Sequence, residues 1–127
     1  MADVNSNKVF TFYQEVPMSE TMKALISDKE KIAFAVKTMR DVAVFTDKRI
    51  LIADKQGLTG KKAEYFTIPY KSIVTYAVEH SGTLDFDSEL KLTLIDGLTA
   101  ELRFMDSRNK NHMLIRVYQL INEYMVN

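Results

Sequence analysis

Gly57-Leu-Thr-Gly-Lys-Lys62 has two glycines followed by lysine, the raw material of a phosphate cradle. Such a loop needs G-x-x-x-x-G-K-[ST], so that backbone N–H groups close round the phosphates, a helix N-terminus favours the anion and Ser/Thr holds magnesium. Here two residues separate the glycines, Lys62 stands where the hydroxyl belongs, and Ala63 to Ile68 reads as a strand. A hairpin loop using Gly for positive φ is the better reading. Asp85-Phe-Asp-Ser-Glu89 has the look of a calcium loop, but Leu90 stands where the turn needs Gly and Asp96 where the bidentate Glu belongs. The two histidines, His80 and His112, have no nucleophile and orienting acid marked beside them by any motif, and read as surface residues. The chain contains no cysteine, which removes disulfides, thiolate nucleophiles and Cys-based metal sites, and its seven methionines read mostly as core filler. No cofactor is expected.

The basic residues are more informative. Lys37, Arg40, Lys48, Arg49, Lys55, Lys61 and Lys62 fall within one third of the chain. In an up-and-down meander successive loops alternate ends, so Arg40 should share an end with Lys61 and Lys62, and Lys48-Arg49 should lie at the other. Arg40, Lys61 and Lys62 are therefore the candidate anion or lipid-headgroup patch. The competing reading, and the favoured one, is a solvated rim of Lys that discourages edge pairing. Globally, Lys plus Arg (17) balances Asp plus Glu (17), so no net field favours nucleic acid or an acidic membrane.

These residues need a scaffold, and 127 residues suffice for one real core. Short β-favouring runs fill the middle: Ile32 to Met39, Val42 to Thr46, Arg49 to Asp54, Ala63 to Ile68 and Ser72 to Glu79. Two-residue gaps at Arg40-Asp41 and Asp47-Lys48 suggest tight hairpins. Pro69 should end one strand at a corner where the chain changes sheets. Leu90, Leu92 and Leu94 alternate with polar residues, as do Ala100, Leu102 and Phe104, around Asp96-Gly97, which suits a type I′ turn. That makes seven strands. At the C-terminus the period becomes helical: Met113, Val117, Leu120 and Tyr124, with Leu114, Tyr118, Ile121 and Met125, fill an arc of roughly 160°. The first 29 residues read as an N-terminal extension. Met18 to Ile26 suits a short helix, Val9 to Val16 fits either period, and the domain proper is expected over 30–127.

Two features point to self-association. Ile50-Leu51-Ile52-Ala53 is apolar on both faces, so the third strand must be covered on both sides. Ile115 lies beyond even the wide apolar arc of the helix, which itself exceeds what closing one small sandwich needs. Ile50, Leu51, Ile52, Ala53 and Ile115 are the candidate interface, with the N-terminal segment as a further candidate. The first residues have no basic start and no long apolar run, so they do not read as a signal peptide, and no stretch is long enough to span a membrane; the absence of cysteine fits a cytoplasmic protein.

Seven strands in a four-plus-three arrangement followed by one helix is the pleckstrin homology plan. "RDVAVFTDKRILIADKQGLTGKKAEYFTIPYKSI", Arg40 to Ile73, resembles the signature stretch of the bacterial pleckstrin homology domain family. "DFDSELKL", Asp85 to Leu92, and the helical ending are similar to its second half. The resemblance runs from about Glu30 to the C-terminus. It implies a mainly β fold, a bent orthogonal sandwich or barrel of seven antiparallel strands capped by a C-terminal helix. It also implies a small cytoplasmic protein without enzymatic activity that assembles into symmetric rings, often pentamers. The phosphoinositide motif of eukaryotic relatives does not carry over, because Arg40-Asp41 is the whole first loop and Val42 to Phe45 has no basic residue.

Three functions are thus in play. The leading one is a non-enzymatic, self-assembling scaffold or adaptor whose partner is itself. The second is a peripheral module binding anionic headgroups through Arg40, Lys61 and Lys62. The third is a carrier of a small ligand inside the sandwich.

Overall fold

The structure, a computed structural model, describes residues 7–56, 62–80, 88–105 and 112–126. All seven expected strands are present: β3 (Ile32–Lys37), β4 (Val42–Thr46), β5 (Arg49–Gln56), β6 (Lys62–Pro69), β7 (Ile73–His80), β8 (Ser88–Leu94) and β9 (Thr99–Phe104). The N-terminal segment adds β1 (Asn7–Phe12), β2 (Glu15–Val16) and the short helix α1 (Glu20–Lys23), and α2 (His112–Val126) ends the chain. Ser19 starts α1 because its hydroxyl accepts from the Met22 N–H at 3.2 Å, satisfying an otherwise orphaned donor.

The strands form two sheets, ordered β2-β3-β4-β5-β6 and β1-β9-β8-β7. The expected seven divide four and three between them, and each sheet gains one N-terminal strand. Both sheets are open, so the sandwich is not closed into a barrel. The seven expected strands pair antiparallel throughout, whereas the added β1 runs parallel to β9, from Asn7↔Thr99 to Phe12↔Phe104. Phe12 of β1 is fully buried, and of the run from Val9 to Val16 that fits either period, residues 9–12 and Glu15–Val16 are strand. Pro69 and a 3₁₀ turn at Tyr70–Ser72 make the corner from one sheet to the other, as the sequence suggested.

The alternating leucines of β8 face inward with Ala100, Leu102 and Phe104 of β9. Met113, Leu114, Val117 and Ile121 of α2 complete this core. Two polar ties hold the helix in place: the Tyr76 hydroxyl donates to Asn122 Oδ1 at 2.6 Å, and Arg116 Nη1 donates to Glu15 Oε1 at 2.8 Å.

β5 is covered on both faces, but by its own chain. Ile50 and Ile52 point into the main core. Leu51 and Ala53 point outward into a second cluster with Ala35 and Val44, closed over by Met22 of α1. The expectation that Ile50, Leu51, Ile52 and Ala53 form an interface between copies is therefore corrected. All four are at most 2% exposed in a single chain: the main core buries Ile50 and Ile52, and the N-terminal segment helps to cover Leu51 and Ala53.

The last hairpin also differs from expectation. Gly97 holds a positive φ of 89°. Its N–H donates to the Leu94 carbonyl at 2.9 Å, and the Leu94 N–H donates to the Leu98 carbonyl at 2.8 Å. That pattern is a three-residue loop with glycine in the left-handed position, in place of a two-residue type I′ turn.

Candidate functional site

The meander places the β3–β4 turn and the β5–β6 connection at one end, as expected. Val42 stands level with Ala53, while Lys62 pairs with Gln56 three residues further on, about 10 Å along the strand. Arg40 and Lys62, both exposed, thus share an end without sharing a level. Lys61 and the glycines of the loop lie outside the described residues, as does most of the acidic run before Ser88. His80 closes β7 and His112 opens α2. Arg40, Thr38 and Met39 line a cleft of about 190 Å³ whose opposite wall is Val9 to Thr11 of β1 and whose floor is Ile52 and Ala53. This opening at the mouth of the sandwich is smaller than the roughly 300–1,000 Å³ of small-molecule sites. It gives little support to a carrier.

Among the interface candidates, Ile115 is 44% exposed on α2. A pair that sequence reasoning missed is more exposed: Val74 at 60% and Ile95 at 75%. The register shifts between Ile73 and Thr75, and this irregularity turns Val74 outward against the strict alternation of β7. Ile73 pairs with Leu94, and the Ile95 N–H donates to the Ser72 carbonyl at 2.8 Å, so the two apolar side chains stand at the same corner. Alternation alone would have pointed Val74 inward. No local sequence signal announces the bulge.

A dense network of hydrogen bonds holds the opposite end. Arg49 Nε and Nη2 grip the Glu30 carboxylate, the closest contact being 2.8 Å, and Nη2 also donates to the Leu25 carbonyl at 2.7 Å. Glu30 accepts further bonds from the Ser27 N–H at 3.0 Å and the Thr46 hydroxyl at 2.8 Å. Burial by itself would raise the Glu30 carboxyl, but the Arg49 guanidinium, the Ser27 amide and the Thr46 hydroxyl hold it below the ordinary glutamate value. Thr46 Oγ1 also accepts from the N–H groups of Lys48 and Arg49, each at 3.0 Å, which fixes the two-residue turn. The Tyr70 hydroxyl donates to the Thr46 carbonyl and the Tyr70 N–H to the Lys48 carbonyl. Burial first, then the Asp47 and Glu30 charges, push the Tyr70 hydroxyl upward, so it stays a proton donor.

Around this hub lie two adjoining depressions of about 410 and 600 Å³ that share Lys48 and Tyr124. Lys29 and Lys71 line the first and Lys31 the second. These lysines come from the loop before β3, the β4–β5 turn and the corner after β6. All three junctions must lie at one end of a meander, so the rule that paired Arg40 with Lys62 would have found them. Lys48 was placed at this end by that rule; Lys29, Lys31 and Lys71 escape it because they lie outside the cluster of basic residues in the sequence.

No helix among the described residues is long and apolar enough to cross a membrane. Comparison with known proteins finds that the sequence model of the bacterial PH domain matches residues 6–125. The uncharacterized protein YjqA of Bacillus subtilis (strain 168) is 49% identical over 75 residues, covering 59% of this chain and 60% of that protein. YozO from the same organism is 34% identical over 86 residues, covering 68% of this chain and 74% of YozO. Among solved structures, a DUF1696 family protein with a pleckstrin-homology domain from Shewanella loihica PV-4 superposes with a TM-score of 0.69 at 34% identity, covering 87% of this chain and 94% of that one. A pleckstrin homology domain from Shewanella amazonensis SB2B gives a TM-score of 0.53 at 40% identity, covering 80% and 79%.

Proposed function

The chain belongs to the bacterial PH domain family, and from that membership we propose that it is a non-enzymatic, self-assembling scaffold domain of the cytoplasm whose first partner is itself. The observation that carries this reading is the apolar pair at the corner of the smaller sheet. The N-terminal segment covers the outer face of β5, yet Val74 and Ile95 remain 60% and 75% exposed at the same corner. Exposed apolar groups placed together mark interfaces, and a head-to-tail contact repeats into a ring when its rotation closes. A pentamer is favoured by the family resemblance. Sedimentation velocity at micromolar concentration tests this. An assembly that Val74→Asp with Ile95→Asp reduces to single chains supports it. A single species at the mass of one chain, 14.6 kDa, refutes it.

A second reading has one observation in its favour. Met39 is 70% exposed beside Arg40, and an apolar residue next to a cation at a loop tip suits the surface of an anionic bilayer. Vesicle pull-down lost on Arg40→Gln would favour that module, with Lys61 and Lys62 as its other cations.

A further inference from the structure

We infer that the paired depressions around Lys48 and Tyr124 are a binding site for an organic phosphate, a multiply charged oxyanion carried on a small organic body. The chain has no net charge, yet Lys29, Lys31, Lys48 and Lys71 converge on this one end. Three carboxylates, Glu30, Asp47 and Glu123, line the depressions against four lysines and Arg49, so the balance at this end stays positive. Glu30 is 5% exposed and held by Arg49 at 2.8 Å. Asp47 Oδ1 accepts the backbone N–H of Lys31 at 2.8 Å. Among the described residues, none of the four ammonium groups is in an ion pair, so their donors are available to a ligand.

These lysines are also badly placed for the duty usually given to surface lysine. Edge-blocking lysines sit on edge strands, whereas these occupy a loop, a turn and a corner at the end of the sandwich. Side-chain stems are flexible, but the backbone beneath them is locked. The Asp47 N–H donates to the Lys31 carbonyl at 2.9 Å, the Tyr70 N–H to the Lys48 carbonyl at 2.9 Å, and Thr46 pins the turn between them. Anchoring charged groups on fixed backbone lowers the ordering cost of binding.

The size and lining argue for more than a bare ion. About 410 and 600 Å³ falls within the range of small-molecule sites. Pro69, Leu120 and Tyr124 supply apolar surface to the lining. Ammonium groups suit phosphate oxygens as point charges. The site is at the opposite end of the sheets from Arg40 and Lys62, so its ligand would not compete with anything held there.

Titration of isotopically labelled full-length protein with inorganic pyrophosphate, followed by amide NMR at low salt, tests the site. Saturable shifts at Lys48, Lys71 and Tyr124 are expected. Replacing Lys48→Gln and Lys71→Gln together should weaken binding about 100-fold, roughly tenfold per charge-assisted contact. The melting temperature of this double variant should hold, because among the described residues neither ammonium is in an ion pair. A parallel flotation with phosphatidylglycerol in phosphatidylcholine vesicles separates the sources. Binding lost in the same double variant identifies a lipid headgroup, and pyrophosphate binding without flotation identifies a free organic phosphate. No saturable shift up to about 10 mM pyrophosphate overturns the proposal. So does undiminished affinity in the double variant.

Discussion

Arg49→Leu isolates what the Glu30 hub contributes to stability. The substitution keeps apolar bulk on β5 but removes the contacts to Glu30 Oε1 and Oε2 and the 2.7 Å bond to the Leu25 carbonyl. Removing one partner of a buried pair costs about 3–5 kcal/mol, because the other charge is left stranded. The Arg49 side chain is 22% exposed, so water reaches the stranded carboxylate and the low end, about 3 kcal/mol, applies. An unfolding entropy of about 2.1 cal/mol/K per residue converts this to a fall in Tm of about 11 °C for a chain of this length. Differential scanning calorimetry reads it directly. The sign of the pH dependence is fixed as well. Glu30 is lowered in the folded protein, so its contribution is complete above the ordinary glutamate value of 4.5 and is lost as pH falls through the folded value. The Tm gap between wild type and the Glu30→Gln variant should therefore close on acidification below that point. A change of less than about 2 °C for Arg49→Leu at neutral pH, or a Glu30→Gln gap that ignores acid, would refute the reasoning.

Met22→Ala should cost about 2–4 kcal/mol in urea unfolding, since Met22 is 1% exposed and closes the cluster over Leu51 and Ala53; a cost below about 1 kcal/mol would mean that α1 does not dock. Gly97→Val should cost about 1–3 kcal/mol by thermal melting. A Cβ there would meet nothing within 4 Å, so the penalty is purely that of a φ of 89°, and an unchanged Tm would contradict that conformation. Calorimetric titration should show no ATP or GTP binding that depends on Lys61, because Gly57–Lys62 lacks the spacing and hydroxyl of a phosphate cradle and β6 follows it where a helix is required. Micromolar affinity lost on Lys61→Ala would overturn that reading.

Period and turn chemistry made the seven later strands and α2 legible, because each buries one regular face. Leu90, Leu92 and Leu94 needed no tertiary information to be placed. The N-terminal strands were harder. β1 forms by parallel pairing with β9, more than 90 residues away in sequence, as the Asn7↔Thr99 partners illustrate, and no local turn announces it. The same distance misdirected the reading of β5. Its two apolar faces were correctly seen to need cover, but Met22 supplies that cover from within the chain. Arg40 was placed at the right end by loop parity. The Lys29, Lys48 and Lys71 cluster obeys the same parity and is spread over more of the sequence. Val74 was illegible because a bulge breaks the alternation on which any sequence assignment of faces rests.

Self-assembly is the central claim, and native mass spectrometry of the full chain at micromolar concentration tests it most directly. Wild type should fly as a discrete multiple of the 14.6 kDa chain, five copies being the favoured number, and Val74→Asp with Ile95→Asp should fly as one copy with its fold intact. A wild-type spectrum containing only the single chain across that concentration range would contradict the account.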